Sequence, residues 1–131
     1  MCHVWIVDDS RTILRELENA LAPVKKYAEV LFFSSPLRAL VEIDDRLKWP
    51  DFIVTDVVMP HISGLGMLRI IRNKGCLAPA ILLTKTEIEK DILDITVPQN
   101  NITDIIFKPI KNDEFLEKVE NALHVLHLVG V

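Results

Sequence analysis

The chain alternates uninterrupted apolar runs with amphipathic segments. The apolar runs occupy residues 2–9, 28–35, 51–60, 78–84 and 103–109, and the amphipathic segments occupy 10–23, 36–47, 65–75, 87–97 and 112–128. Apolar runs without polar alternation are typical of strands that are covered on both faces. Interleaved helices predict right-handed crossovers between parallel strands. The pattern therefore predicts an α/β fold, a doubly wound five-stranded parallel sheet flanked by five helices.

Apolar spacing also predicts which face of each helix is buried. In the second helix the stripe comprises Leu37, Leu40 and Val41, with Leu47 as a further candidate. In the last helix the stripe comprises Phe115, Val119, Ala122 and Leu126. Asn112 or Asp113 is expected to cap the start of that last helix.

Length and composition indicate one globular domain over 1–131. The chain has 131 residues, half of them hydrophobic and 26% charged, which is enough to bury a core. Its net charge of −4, without a run of Lys and Arg, argues against direct nucleic-acid binding. No segment approaches the roughly 20 apolar residues of a membrane span, and no signal peptide is evident, so we expect a cytoplasmic protein with no membrane contact.

Distinctive polar residues follow four of the five predicted strands. Asp8 and Asp9 follow the first strand, Asp56 the third, Thr84 the fourth and Lys108 the fifth. Ligand sites in open parallel sheets lie beyond the carboxyl ends of the strands, where the strand order switches. These side chains are therefore expected to form one site.

The chemistry of this set points to a metal and a phosphoryl group. Carboxylates gathered at one edge repel one another unless a cation joins them, and Mg²⁺ prefers oxygen ligands. Thr84 and Lys108 are suited to binding oxyanions. Because Asp56 stands between the metal-side acids and these donors, its carboxylate is the predicted nucleophile.

Four motifs carry a resemblance to a known family. They are VDD at 7–9, TDVVMP followed by Gly64 over 55–64, ILLT at 81–84 and KP at 108–109. In this order, each after an apolar run, they resemble the receiver domains of response regulators, which have a CheY-like, flavodoxin-like fold. The resemblance implies a phosphorylation switch in a two-component system or phosphorelay, and not a conventional enzyme. A sensor histidine kinase or a histidine phosphotransfer protein would supply the phosphoryl group to Asp56.

The resemblance also implies a Mg²⁺ site. Asp9 matches the direct ligand and Asp8 the acid that acts largely through water. Asp56 and the backbone carbonyl of Val58 would complete the protein ligands.

On the phosphate side, the resemblance assigns two further roles. Lys108 would pair with Asp56 or its phosphate, and the Thr84 hydroxyl would move to bond a phosphoryl oxygen. Movement of both residues would change the face formed by the fourth and fifth strands, which is the expected output face.

Two departures from the family pattern keep an alternative open. Ile105 stands where an aromatic switch residue is common, and Lys85 stands where a small residue usually follows Thr84. A degenerate receiver locked in one state is therefore the main alternative. A phosphohydrolase of the haloacid-dehalogenase type is disfavoured because it would require a second Asp at the position of Val58. An FMN carrier is disfavoured because it would require a Ser/Thr/Gly-rich loop after the first strand, where this chain has SRTIL.

The C-terminus carries extra apolar residues, Val125, Leu128 and Val129. A contiguous apolar patch often marks an interface. Either the last helix forms a homodimer, or this chain is the front part of a longer regulator with an output domain.

Overall fold

The fold is built on one parallel sheet. The computed structural model describes residues 2–85 and 101–126. The strands are β1 (Cys2–Val7), β2 (Ala28–Phe33), β3 (Phe52–Asp56), β4 (Ala80–Thr84) and β5 (Ile102–Phe107). All neighbours are parallel, in the order β2-β1-β3-β4-β5. The predicted five-stranded parallel sheet is confirmed, and its order switches between β1 and β3.

The described helices cover both faces of the sheet. They are α1 (Arg11–Ala20), α2 (Pro36–Glu42), α3 (Gly64–Asn73) and α4 (Asn112–Val125), with short 3₁₀ turns at Val24–Lys26 and Arg46–Lys48. Helices α1 and α4 pack together on one face, and α2 packs with α3 on the other. The predicted helix over 87–97 and the apolar residues 128 and 129 lie outside the described residues.

The core consists of two layers separated by the sheet. Trp5 and Ile53 belong to the layer beneath α2 and α3, whereas Val4, Ile6 and Phe52 belong to the layer beneath α1 and α4. Neighbouring residues of one strand point to opposite faces, so both faces of the inner strands must be apolar. This two-sided burial is the physical reason for the uninterrupted apolar runs.

The predicted buried face of α2 was confirmed only at Leu40, which is partly buried against the core layer. The helix ends at Glu42, and its fully buried residues are Pro36 and Ala39, followed by Ile43 just after the helix. Val41 is 72% exposed and Leu47, on the following 3₁₀ turn, is 89% exposed. Because the helix has only about two turns, the small Ala39 can approach the sheet closely while Leu37 and Val41 remain exposed.

Helix α1 has a side-chain N-cap, whereas α4 has none. The Ser10 hydroxyl accepts a hydrogen bond from the backbone N–H of Ile13 and caps α1. The N-cap of α4 is Lys111, with no side-chain cap, so the prediction of Asn112 or Asp113 was wrong. Asp113 lies instead in the first turn, where its negative charge favours the helix dipole. Over residues 2–85 and 101–126, no helix is long and apolar enough to span a membrane.

Candidate phosphorylation and metal site

The predicted polar residues meet at the carboxyl edge of the sheet. Asp8 follows β1, Asp56 and Thr84 end β3 and β4, and Lys108 follows β5. Asp8 and Thr84 are fully buried, and Asp56 is 3% exposed. Parallel strands place all these ends on one side, so their convergence follows from the topology.

Three carboxylates form a compact acidic cluster. Each of Asp8, Asp9 and Asp56 offers an oxygen, and the three oxygens lie within 4.8 Å of one another. Asp9 is exposed, whereas the other two are buried. The cluster is therefore open to solvent on one side and could hold a hard cation such as Mg²⁺, for which an all-oxygen set of this size is suitable.

Lys108 lies between the two buried carboxylates. Its Nζ is 3.0 Å from Asp8 Oδ2 and 3.3 Å from Asp56 Oδ2, and its side chain is 10% exposed. The sequence linked Lys108 to Asp56, but the shorter contact is with Asp8. In this arrangement the ammonium group neutralises part of the charge of both acids.

Backbone amides fix the second oxygen of each buried acid. The N–H of Ser10 donates to Asp8 Oδ1 at 2.9 Å, and the N–H of Val57 donates to Asp56 Oδ1 at 2.9 Å. Each carboxylate thus has one oxygen on the backbone and the other toward Lys108. Sequence reasoning missed these two amides, because every residue has a backbone N–H and no residue type signals the contact.

The local environment raises the pKa of Asp56 to about 6. Burial is the largest cause, and the charge of Asp8 adds to it. Lys108 and the N–H of Val57 act in the opposite direction but do not cancel the rise. The ionised carboxylate is therefore held in an unfavourable setting that a second cation would relieve.

Gly64 allows the loop after β3 to pack against the end of that strand. Its N–H donates to the carbonyl of Val57 at 2.8 Å. A Cβ at this position would lie 2.0 Å from the backbone oxygen of Asp56 and 3.1 Å from Thr55 Oγ1. Gly64 thus serves a close backbone approach and has a conformational role.

Strands β4 and β5 are tied together beside the site. The backbone N–H of Lys108 donates to the carbonyl of Thr84 at 2.7 Å. On the other side of β4, the N–H of Val57 donates to the carbonyl of Leu83 at 3.1 Å. The residues predicted to contact a phosphoryl group are thereby linked through one short path of backbone hydrogen bonds.

The remaining predicted residues lie around this centre. Val58 lies in the bend that follows Asp56, and its side chain is 58% exposed. Lys85 is exposed at the end of β4, and Ile105 on β5 packs against the core layer beneath α2 and α3. An exposed Lys85 adds positive charge at the rim, while Ile105 contributes no aromatic ring to the output face.

A parallel α/β sheet with acids after β1 and β3 and a lysine after β5 defines a receiver-type domain. Comparison with known families agrees, since residues 4–120 match the response regulator receiver domain. The chain belongs to this family.

Among curated proteins, the chain is similar to the DNA-binding transcriptional regulator NtrC of Salmonella typhimurium, with 31% identity over 122 residues. The match covers 92% of this chain and 24% of NtrC. It is also 28% identical to the transcriptional regulatory protein FlgR of Helicobacter pylori, covering 94% of this chain and 30% of FlgR. The chain thus spans about a quarter to a third of these regulators.

Solved structures have the same fold. A receiver domain protein from Clostridium thermocellum superposes with a TM-score of 0.76 at 25% identity, covering 98% of both chains. The chemotaxis response regulator CheY4 of Vibrio cholerae gives a TM-score of 0.78 at 22% identity, covering 94% of this chain and 99% of CheY4. The expected CheY-like architecture is confirmed.

Proposed function

We propose that this protein is a phosphorylation switch that accepts a phosphoryl group on Asp56 in a Mg²⁺-dependent reaction. The observation that carries the proposal is that the Asp56 carboxylate belongs to the acidic cluster and also lies 3.3 Å from the ammonium group of Lys108. One side of the carboxylate is suited to a divalent cation and the other to phosphoryl oxygens. This is the arrangement that phosphoryl transfer to a carboxylate requires.

The acidic side would hold Mg²⁺. Asp8, Asp9, Asp56 and the backbone carbonyl of Val58 are the proposed protein ligands. When bound, the ion supplies charge neutralisation for the incoming phosphoryl oxygens. Mg²⁺ would compete with Lys108 for Asp8, since the Nζ lies 3.0 Å from that carboxylate. Release of Lys108 from Asp8 would leave its ammonium group available for the phosphoryl group on Asp56.

The transfer itself is a substitution at phosphorus. An oxygen of Asp56 attacks the phosphorus of a phosphohistidine, the P–O bond forms, and the P–N bond to the histidine breaks. The histidine nitrogen leaves with the electron pair of that bond. Lys108 and the Thr84 hydroxyl would bind the oxygens of the transferred group. Asp56 is only 3% exposed, so the donor must reach its carboxylate from the side of the site where Asp9 is exposed.

Phosphorylation would change the surface of β4 and β5. A phosphoryl group adds about −1.5 to −2 charge and three acceptor oxygens, which favours inward movement of Thr84 and Lys108. Their direct backbone hydrogen bond couples the two strands. The altered face would then control a partner, a homodimer formed through the last helix, or an output domain in a longer chain. The DNA binding named for NtrC belongs to that whole protein, of which this chain covers 24%.

The proposal also includes the phosphoryl donor, the reactions that the domain catalyses and its location. The phosphoryl donor would be a sensor histidine kinase or a histidine phosphotransfer protein. The domain would catalyse only its own phosphotransfer and dephosphorylation. One domain over 1–131 and a cytoplasmic location remain predictions.

Intact mass provides the test. The protein is incubated with a small acyl-phosphate donor with and without Mg²⁺, beside an Asp56→Asn control. We expect one added phosphoryl group that requires Mg²⁺ and is absent from the control. Phosphorylation of the Asp56→Asn variant to the same extent as the wild type would refute the proposal.

A degenerate receiver is the second candidate, because the 3.0 Å contact between Lys108 and Asp8 occupies the acidic site with an internal cation. Titration with Mg²⁺ while recording tryptophan fluorescence separates the two. A functional receiver binds Mg²⁺, and a domain locked by Lys108 does not.

A further inference from the structure

Strand β2 lies at one edge of the sheet in the part of the chain that the structure describes. Among the described strands it pairs with β1 alone. Edge strands present free backbone N–H and C=O groups, and proteins usually protect them with charges, prolines or bulges. The sequence of β2 has one charged residue, Glu29, which lies 3.3 Å from His3 Nε2 on β1. The second half of β2 therefore combines open backbone groups with uncharged side chains.

A groove follows this edge on both sides of the strand. On the α1 side it is a depression of about 280 Å³, and on the α2 side one of about 660 Å³. Both depressions are lined by Phe32, Ser34 and Arg11, so they join at the end of the strand. We name this feature the β2 groove and define it by Arg11, Arg15, Phe32, Phe33, Arg38 and Val41.

The floor of the β2 groove is apolar. Phe32 is half-buried against the core layer beneath α1, and Phe33 is half-buried against the layer beneath α2. Val41, which sequence periodicity assigned to the buried face of α2, lies here and is 72% exposed. The groove therefore offers apolar surface on both faces of the edge strand.

The walls of the β2 groove are positively charged. Arg11 and Arg15 on α1 and Arg38 on α2 are exposed. Among the ion pairs between described residues, none involves these three arginines. Their charges are therefore available to an incoming anionic group.

The acids of the groove already have cationic partners. Glu18 lies 2.6 Å from Lys25 Nζ, and Glu42 lies 3.4 Å from Lys48 Nζ. Both glutamates therefore pair with lysines and not with the arginines of the groove. The walls thus keep a net positive charge around an apolar floor.

We propose that the β2 groove binds an extended acidic segment of a partner protein, which pairs with β2 as an added strand. Backbone hydrogen bonds to the open edge would provide affinity, as in other cases of strand addition. Apolar side chains would contact Phe32, Phe33 and Val41, and carboxylates would pair with the arginines. The six residues of β2 extend about 20 Å, so about six residues of the partner can pair.

A second copy of this chain is disfavoured as the occupant. Two-fold pairing of β2 with itself would bring the same arginine-lined walls together, and like charges facing each other are destabilising. A nucleic acid would match the charge but not the apolar floor. An acidic peptide with apolar side chains satisfies both features.

The test uses the full chain and a capped peptide of about eight residues in which valine and glutamate alternate. Binding is measured by calorimetry and by Trp5 fluorescence in a Trp49→Phe background, because the Trp5 ring lies 5.0 Å from that of Phe33. Arg38→Glu is compared with Arg69→Glu, an equal charge change at an exposed arginine on α3, outside the groove. Peptides N-methylated at alternate amides, in both registers, test the backbone pairing.

We expect Arg38→Glu to weaken binding about tenfold and Arg69→Glu to change it less than about threefold. At least one of the two N-methylated peptides should fail to bind. No binding by the unmodified peptide, equal weakening by both arginine variants, or full binding by both N-methylated peptides would overturn the proposal. So would self-association through β2, measured by sedimentation and abolished by a proline in β2.

Discussion

Replacing Asp56 with asparagine should stabilise the protein when no divalent cation is present. The substitution keeps the shape of the side chain and removes its negative charge. Asp56 is only 3% exposed, and its carboxylate lies beside that of Asp8. Lys108 retains Asp8 as a partner at 3.0 Å, so no buried ammonium group is left alone. The charge removed is one that the folded state disfavours.

The magnitude follows from the pKa of Asp56. Folding raises this pKa from 3.8 to about 6, so the folded state binds the proton more tightly than the unfolded state does. Below the unfolded pKa both states are protonated and there is no penalty. As the pH rises from about 3.8 to about 6, the free energy of unfolding falls, and above about pH 6 it is lower by the full penalty of about 3 kcal/mol.

Urea unfolding followed by tryptophan fluorescence, with a chelator present, measures this effect. At about pH 8, Asp56→Asn should raise the free energy of unfolding by up to about 3 kcal/mol, and at about pH 4 the gain should nearly disappear. The control is Asp44→Asn, which alters an exposed acid paired with Lys74. Its effect should stay below about 1 kcal/mol. A loss of stability in Asp56→Asn at the higher pH, or the same gain at both pH values, would contradict the reasoning.

Three further predictions concern neighbouring residues. Lys108→Met should destabilise the metal-free protein by about 3 kcal/mol, because it leaves two buried acids without their cation, and millimolar Mg²⁺ should restore part of the loss in urea unfolding. Gly64→Ala should lower the free energy of unfolding by about 3 kcal/mol, since its Cβ would lie 2.0 Å from the backbone oxygen of Asp56; an unchanged midpoint would show that the loop can move away. Mg²⁺ at about 100 times its dissociation constant should stabilise the wild type by about 2.7 kcal/mol, and Asp9→Asn should remove most of this gain at the same concentration.

The sheet was predictable because its physical signal is simple. Strands buried on both faces are apolar at most positions, so β1, β3 and β4 stand out as runs whose polar residues gather mainly at the carboxyl ends. Helix α2 was harder to predict. Its apolar residues have helical spacing, but only Leu40 of the predicted stripe packs against the core, beside the buried Ala39 and Ile43. Helical periodicity in the sequence identifies a row of apolar residues on α2. Which residues of the helix face the sheet depends on how closely their side chains can pack against it.

The candidate site was predictable in composition but not in its contacts. Parallel topology brings Asp8, Asp56 and Lys108 to one edge whatever their rotamers. The preference of Lys108 for Asp8 over Asp56 depends on tertiary geometry, in which distances of 3.0 and 3.3 Å decide the order. The open edge of β2 was also not evident, because a sequence does not state which strand ends the sheet.

The role of Asp56 as phosphoryl acceptor is tested most directly by identifying the residue that receives the phosphoryl group. The protein is phosphorylated with a small acyl-phosphate donor and Mg²⁺, reduced with borohydride, which converts an aspartyl phosphate to homoserine, and mapped by peptide mass spectrometry. We expect homoserine at position 56, and at no other acidic residue, only in samples that contained Mg²⁺. Phosphorylation at another acid, or a modification at position 56 that does not depend on Mg²⁺, would contradict this role of Asp56.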